Sequence, residues 1–239
     1  MLKIVTQVDW QETHVLVKAA FPLSIESDFA TSETACGAIA RPTKPETPED
    51  KAKWEVAALK WVDLTDEEQN YGVSLLNDCK YGYDFKPNQI RISLLRSPVW
   101  PDPQSDRGQH QFTYAIYPHQ GSWQQAKTIH RSYELNIPLQ VLEVNAKQQN
   151  QDSSLSLENS FLNLSAENLI LMALKKDLHN QLVLRCYESL GNPANLALEG
   201  DLNLKITDEL NCLEENQDFD LNMSIQPWQI KNFRLNQSH

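Results

Sequence analysis

Apolar residues recur at every second position along much of this chain of 239 residues. The longest alternating segment spans residues 14–25, and shorter ones are centred on Ile92, Tyr114, Leu184 and Leu204. A period of two places one face of a β-strand in a core and the other in solvent. Many such strands, separated by turn residues, predict an all-β fold built from sandwiches. The mean hydropathy of −0.51 excludes a membrane-spanning protein.

Turn and helix signals lie between these segments. Pro87 and Asn88 occupy the centre of a four-residue turn, which predicts a β-hairpin. Residues 122–125 have the pattern of a capping box and are followed by His130 at helical spacing, so we expect a helix to begin there. A similar pattern at residues 65–68 runs into Gly72, which favours a single turn. We therefore expect little helix.

One change in composition suggests a domain boundary. Residues 147–154 are almost entirely polar, and the chain before them is rich in Pro, Trp and Tyr, whereas the chain after them is rich in Leu and Asn. We predict a large β-sandwich over residues 1–150 and a smaller one over residues 151–239. The proline-rich residues 41–48 predict an exposed loop.

The net charge of the chain limits the classes of partner that we expect. Its 21 basic and 32 acidic residues give a formal net charge of −11. This field repels nucleic acids and anionic lipid surfaces, so we expect neither as a partner. The four cysteines are far apart and show no metal-binding spacing. Without a signal-peptide pattern, they predict buried, reduced thiols in a cytoplasmic protein.

The first candidate site is the polar end of a predicted strand at residues 75–84. Asn77 and Asp78 carry oxygens that accept hydrogen bonds from vicinal hydroxyl groups, and Lys80 can donate one back. This combination suits a polyhydroxyl ligand. The same residue types dominate ordinary turns, in which Asn77 and Asp78 would bond their own backbone. Both interpretations remain open at this point.

The second candidate site is the segment from Arg96 to His110. Its three prolines stiffen the chain and so reduce the entropy that is lost when a ligand binds. An indole face at Trp100, a carboxylate at Asp102 and the guanidinium groups of Arg96 and Arg107 suit a sugar. The alternative is an internal salt bridge of Arg107 with Asp102 or with Asp106, which would only shape the loop.

Other chemistries find little support in the sequence. His110 and His119 lack the spacing of a zinc-binding pair, and no serine lies in a Gly-x-Ser-x-Gly turn. The seven glycines do not cluster into a phosphate-binding loop. The acidic residues between Asp208 and Asp220 lack the alternating oxygen ligands of a calcium loop, so we expect a solvated loop.

The two candidate segments resemble the retaining α-mannosidases of glycoside hydrolase family 38, in the branch of the cytosolic and vacuolar enzymes. The resemblance lies in residues 75–83, in residues 93–98 with Pro101–Pro103 and Asp106–Gly108, and in residues 112–119. It extends to residues 8–10, 18–22, 133–136, 173–176, 184–188 and 230–231. It therefore covers nearly the whole chain.

The resemblance implies the C-terminal β region of these enzymes, with a galactose-mutarotase-like supersandwich followed by a smaller sandwich. Their zinc ion, their His-x-Asp motif and their catalytic aspartates belong to an N-terminal α/β catalytic domain. None of the six histidines here is followed two residues later by Asp. We therefore expect no cofactor and no catalytic residue on this chain, which would be an expressed fragment or the product of a truncated gene.

The resemblance also implies a role for the β region. In the family, loops of the supersandwich help to close the sugar subsite, which points to Arg96 first and Arg107 second, with Asn77, Asp78 and Asp102 in support. We expect the chain to scaffold the catalytic domain and to contribute one wall of a mannose site. The alternatives are a free-standing carbohydrate-binding module that uses Trp100 and a protein-interaction sandwich with an exposed patch. A truncated interface would also favour a homo-oligomer.

Overall fold

The structure is a computed structural model that describes residues 1–143, 158–218 and 222–237. It divides into two compact units, Met1–Leu139 and Gln140–His239. Strands dominate both units, so the predicted all-β class is confirmed. The predicted boundary at residue 150 and the polar stretch at residues 147–154 lie outside the described residues. None of the described helices is long and apolar enough to cross a lipid bilayer.

The first unit is built from ten strands and two short helices. The strands are β1 (Leu2–Trp10), β2 (Leu16–Pro22), β3 (Phe29–Thr34), β4 (Gly37–Pro42), β5 (Val56–Ala57), β6 (Trp61–Asp66), β7 (Tyr71–Asn77), β8 (Gly82–Lys86), β9 (Gln89–Arg96) and β10 (Gly108–Gln120). The helices are α1 (Pro48–Ala52) and α2 (Thr128–Asn136).

These strands form two antiparallel sheets that pack face to face. A six-stranded sheet has the order β1-β10-β7-β6-β3-β4, and a four-stranded sheet has the order β2-β9-β8-β5. Leu64 and Leu75 from the larger sheet meet Tyr83, Ile90 and Ile92 from the smaller one in a single buried core. The apolar alternation of β9 thus faces the core as expected. The hairpin at Pro87 and Asn88 is confirmed, because β8 and β9 pair on either side of it.

The helix begins later than the sequence predicts. Ser122 and Gln125 do form the reciprocal hydrogen bonds of a capping box, at 3.0 and 3.4 Å. They close a turn, however, and α2 starts only at Thr128, after Lys127 in a left-handed conformation. α2 then lies on the outer face of β6 and β7. Short helix α1, which begins inside the predicted loop at residues 41–48, is capped by the Thr47 hydroxyl.

The second unit contains eight strands among the described residues. They are β11 (Asn163–Leu164), β12 (Leu169–Lys176), β13 (Leu182–Glu188), β14 (Ala194–Asn195), β15 (Leu198–Glu199), β16 (Leu204–Leu210), β17 (Ser224–Ile225) and β18 (Ile230–Gln237). The main sheet has the order β12-β13-β18-β16, and β11-β15 and β14-β17 form two small sheets. Leu184, Phe233 and Ile225 lie at the centre of its core.

A buried carboxylate organises the end of β13. Glu188 is fully buried, and its oxygens accept hydrogen bonds from the backbone N–H groups of Leu190, Gly191 and Trp228 and from the Asn168 amide, at 2.7 to 3.0 Å. Four donors replace the water that the charge loses on burial. This residue belongs to the segment 184–188 noted in the sequence, and its role here is structural.

The expectation of buried cysteines holds only in part. Cys186 is buried in the core of the second unit, but Cys79 and Cys212 are exposed. Cys79 follows the end of β7, and Cys212 lies in the loop after β16, both outside the alternating pattern that marks core positions. None of the four cysteines, all of which lie in the described part of the chain, forms a disulfide bond.

Candidate functional site

The segment between β9 and β10, residues 97–107, is named here the proline loop. Its first residue, Ser97, is buried and tied to the connection between β1 and β2. The Ser97 backbone exchanges hydrogen bonds with His14 and Val15, at 2.7 and 3.1 Å, and its hydroxyl accepts one from the Trp10 indole at 2.6 Å. The loop therefore starts from a fixed point, although its tip is exposed.

The two ends of the proline loop are also joined to each other. The backbone N–H of Arg96 donates to the Asp106 carboxylate at 3.2 Å, and the His110 ring lies 2.8 Å from the Asp106 carbonyl oxygen. Asp106 has a positive φ of 60°, which turns the chain back toward β10. These contacts hold Arg96 and Arg107 on either side of the same closed loop.

The proline loop presents its polar and aromatic side chains to solvent. Trp100 is 83% exposed, and Arg96, Asp102 and Arg107 are also exposed. One oxygen of Asp102 accepts a hydrogen bond from the Gln104 backbone at 2.9 Å. Among the described residues, neither Asp102 nor Asp106 lies within ion-pair distance of Arg107, so the internal salt bridge considered from the sequence is absent there.

Asn77 and Asp78 lie apart from the proline loop. Asn77 pairs with Tyr114 at the end of β7, and Asp78 exchanges hydrogen bonds with the Thr113 backbone at 2.8 and 3.1 Å. Along β10, Thr113 lies five positions beyond Gly108, which corresponds to about 17 Å at the usual strand rise. The structure thus divides the six predicted residues into a loop group and a pair at the end of β7.

The Asn77 amide is fully occupied within the protein. Its nitrogen donates to the Leu59 carbonyl at 2.9 Å and to the Tyr83 hydroxyl, while its oxygen accepts from the backbone N–H groups of Cys79 and Lys80. All four hydrogen-bonding positions of the amide are therefore filled. For Asn77, the structure therefore agrees with the second interpretation of the sequence, a turn in which the side chain bonds the backbone. Asp78 remains exposed at the surface.

Arg96 continues a strip of charged residues on the outer face of the four-stranded sheet. Lys18 donates to Asp84 at 2.6 Å and lies 2.8 Å from Glu55. Burial tends to raise the pKa of Glu55, but hydrogen bonds from Lys18 and Ser93, together with the charges of Lys18 and Arg96, lower it below its ordinary value. Arg96 therefore stands close enough to act electrostatically on this strip while its side chain remains exposed.

A separate groove of about 1140 Å³ lies against β3 and β6. Phe29, which is 58% exposed, lines one side, and Trp123 lines another. Its acidic lining residues are Glu26, Asp28, Asp63, Asp66, Glu67 and Glu68. None of the six predicted site residues lines this groove. An aromatic surface beside carboxylates is visible only once distant strands are assembled, which is why sequence reasoning missed it.

Behind the groove lies a buried polar network. The carboxylate of Asp63 lies 2.8 Å from Nε2 of His119 and accepts a hydrogen bond from the Ser74 hydroxyl at 2.7 Å; Ser74 in turn contacts Thr128 at 2.8 Å. Ser74 thus bonds the carboxylate and not the imidazole, so the set lacks the nucleophile–base contact of a catalytic triad. Its role is to join α2 to the sheet.

No metal-binding cluster accompanies these sites. Across residues 1–143, 158–218 and 222–237, no three His, Cys, Asp or Glu side chains are placed to hold a metal ion. The proline loop can bind a polar ligand, because Arg107 can donate hydrogen bonds, Asp102 can accept them and Trp100 offers an aromatic face.

Comparison with known families decides the relationship of this chain. Residues 1–104 match the model of the glycosyl hydrolases family 38 C-terminal domain, and residues 168–233 match that of the family 38 C-terminal beta sandwich domain. The chain belongs to glycosyl hydrolase family 38 and corresponds to the C-terminal region of its members. The resemblance inferred from the sequence is thereby confirmed.

Relatives within family 38 are named as α-mannosidases. Alpha-mannosidase 2C1 of Mus musculus is 36% identical over 242 residues, covering 96% of this chain and 22% of that protein. Alpha-mannosidase G of Dictyostelium discoideum is 38% identical over 240 residues, covering 96% and 22%. This chain therefore spans less than a quarter of the length of either relative.

A solved α-mannosidase structure has the same fold. The crystal structure of an alpha-mannosidase from Enterococcus faecalis V583 superposes with a TM-score of 0.83 at 18% identity, covering 97% of this chain and 27% of that one. The superposition supports the architecture of the two β units, and at 18% identity it shows the fold alone.

Proposed function

We propose that this chain is the non-catalytic C-terminal region of a retaining α-mannosidase, in which it scaffolds the catalytic domain and completes the sugar subsite. The support is the family relationship together with the proline loop. In this proposal the zinc ion and the catalytic aspartates belong to the N-terminal α/β domain, and the hydrolysis of α-mannosides takes place there.

The observation that carries the proposal is a pair of exposed side chains at a loop whose base is fixed: Trp100 on the proline loop, and Arg96 at the end of β9, just before the loop begins. An indole that is 83% exposed presents a flat apolar face on which the C–H bonds of a sugar ring can stack. Arg96 can donate several hydrogen bonds to vicinal hydroxyl groups of mannose, and Asp102 can accept one. Arg107, at the other end of the loop, is the second donor.

Sugar titration of the purified chain tests whether this wall works alone. In the proposal the proline loop forms only one side of the sugar site, so it makes too few contacts to hold a sugar by itself. We therefore expect no binding of mannose or mannobiose at millimolar concentration. We also expect no turnover of an aryl α-mannoside in the presence of zinc. Turnover above buffer would contradict the assignment of catalysis to another domain.

A second candidate function is a free-standing carbohydrate-binding module. The exposed Trp100 and the groove beside Phe29 favour it, because aromatic faces next to carboxylates suit sugars. Millimolar binding that disappears in Trp100→Ala would place the sugar at the proline loop. Binding that disappears only in Phe29→Ala would place it in the groove.

We further propose a cytoplasmic location for the protein. Two of its thiols, those of Cys79 and Cys212, are exposed and unpaired. Exposed thiols persist in the reducing cytosol and tend to be oxidised in secretory compartments. Labelling of free thiols in lysed cells would test this, since oxidation of both residues in the native protein would contradict it.

A further inference from the structure

Strand β1 forms one edge of the six-stranded sheet. Among the residues that the structure describes, β10 lies on one side of β1 and no strand lies on the other. β1 is nine residues long, and its register with β10 is unbroken from Leu2 to Trp10. A regular edge of this length presents a row of N–H and C=O groups to which another strand can pair.

The other edge strands of the three larger sheets carry features that discourage such pairing. β12 and β16 each contain a bulge, β2 ends at Pro22 and β4 at Pro42, and β5 has only two residues. Bulges, prolines and short length all protect a sheet edge. Within the described chain β1 has none of these, and its Leu2 and Val5 are 64% and 65% exposed.

The sequence of β1 is complementary to itself in one antiparallel register. When two copies pair about a two-fold axis at Thr6, Lys3 of each copy lies opposite Asp9 of the other, and Ile4 lies opposite Val8. The alternation of side chains keeps the charged pairs on one face and the apolar pairs on the other. Opposite charges directly across two strands stabilise the pairing, and like charges oppose it.

We propose that the free edge of β1 is a self-association surface, on which a second copy of this chain adds its own β1 in this register. The six-stranded sheet then continues across the axis into its copy. Lys3 and Asp9, which otherwise protect an edge as isolated charges, neutralise each other in both symmetric pairs. The contact is narrow, so the dimer forms and dissociates with protein concentration.

Charge reversal tests the pairing in the full chain of 239 residues. Sedimentation equilibrium should show a monomer–dimer equilibrium, and Lys3→Asp should weaken it at least about tenfold, because both pairs become repulsive. The double variant Lys3→Asp with Asp9→Lys restores opposite charges and should return the dissociation constant to within about threefold. The control Lys86→Asp makes the same charge change at the exposed last residue of β8 and should leave the equilibrium unchanged.

Cross-linking tests the register itself. In a background with Cys79→Ser and Cys212→Ser, Thr6→Cys places two thiols opposite each other, and oxidised glutathione should link the two copies through a disulfide. Gln7→Cys lies opposite Val5 and should give at least about tenfold less covalent dimer. A chain that stays monomeric at every concentration overturns the proposal, because any strand that pairs with β1 would then have to come from a different protein. Equal cross-linking at both positions, or a double variant that stays weak, overturns it as well.

Discussion

At the residue scale, Asn77 links several parts of the first unit through one amide. Its side chain connects the end of β7 to Leu59 and Tyr83, and its backbone carbonyl oxygen accepts a hydrogen bond from Asn136 in α2 at 3.0 Å. The residue is 1% exposed, so Leu59 and Tyr83 would each lose a buried partner if the side-chain amide were removed, whereas the contact with Asn136 would remain. Asn77 therefore supports the sheet that carries Asp78.

We expect Asn77→Ala to lower the free energy of unfolding by about 2–4 kcal/mol, because buried donors and acceptors lose their partners. Urea unfolding followed by tryptophan fluorescence would measure the change. Asp78→Ala is the neighbouring control and should cost about 1 kcal/mol, since it loses one exposed backbone contact. Equal stability of the two variants would show that the amide network contributes little.

The thiols differ in their environments, and their reactivity should follow. Partial burial of the Cys79 sulfur, together with the hydrogen bond and charge of Asp78, raises the pKa of this exposed residue to about 11, and burial raises the pKa of Cys186 to about 12. At pH 8 both are almost entirely protonated, and only thiolates react. Cys212 is exposed, so we expect it to react with a disulfide reagent at least about tenfold faster than Cys79, with Cys186 reacting only after unfolding.

Mass spectrometry of peptides after timed labelling would establish this order. Rapid modification of Cys186 in the folded chain would contradict the described core of the second unit. Labelling in urea provides the control, because all four cysteines should then react at similar rates.

At the scale of elements, three strands are joined by charges on the outer face of the four-stranded sheet. Asp84 of β8 pairs with Lys18 of β2 and with Arg91 of β9, and its side chain is only 11% exposed. Burial tends to lower the pKa of Lys18, but hydrogen bonds and charges from Asp84 and Glu55 outweigh burial and raise it above its ordinary value of 10.5. The stabilisation is thus complete below that value and is lost as pH rises through the raised pKa.

We expect Asp84→Asn to destabilise the chain by about 1–3 kcal/mol at pH 7, since it breaks two partly buried ion pairs. The difference from the wild type should shrink as pH rises above 10.5, where the unfolded chain loses the Lys18 proton, and through the raised pKa of Lys18 in the folded chain. Thermal unfolding at several pH values would measure it. Asp28→Asn, which breaks an exposed ion pair with Lys44, is the control and should have no measurable effect.

The sequence predicts an element whose position depends on neighbouring residues. It does not predict an element whose position depends on residues far away along the chain. The β8–β9 hairpin follows from Pro87 and Asn88 because a turn is decided by adjacent residues. The capping pattern at residues 122–125 forms its own hydrogen bonds, but α2 starts where Thr128 can reach Ser74 across the sheet. That contact joins residues far apart in sequence and leaves no local signal.

At the scale of the whole molecule, the same reasoning applies to the candidate site. Stiff, polar residues mark the proline loop in the sequence, and the resemblance to family 38 directs attention to Arg96. The sequence does not reveal that Trp10 anchors Ser97, or that Asp63 meets His119, because these contacts join strands that are not neighbours along the chain. Nor does it separate Asn77 and Asp78 from the loop, which depends on the register of β10.

Complementation in trans tests the central claim most directly. Alpha-mannosidase G, shortened by the region that matches this chain, would be assayed on an aryl α-mannoside with and without the purified chain. We expect activity to return on addition of the chain, and Arg96→Ala to reduce the restored rate about 10–100-fold, while the control Arg131→Ala on α2 restores it fully. Restoration by Arg96→Ala equal to that by the wild type would contradict the assignment of Arg96 to the sugar subsite, and no restoration at all would contradict the scaffold role.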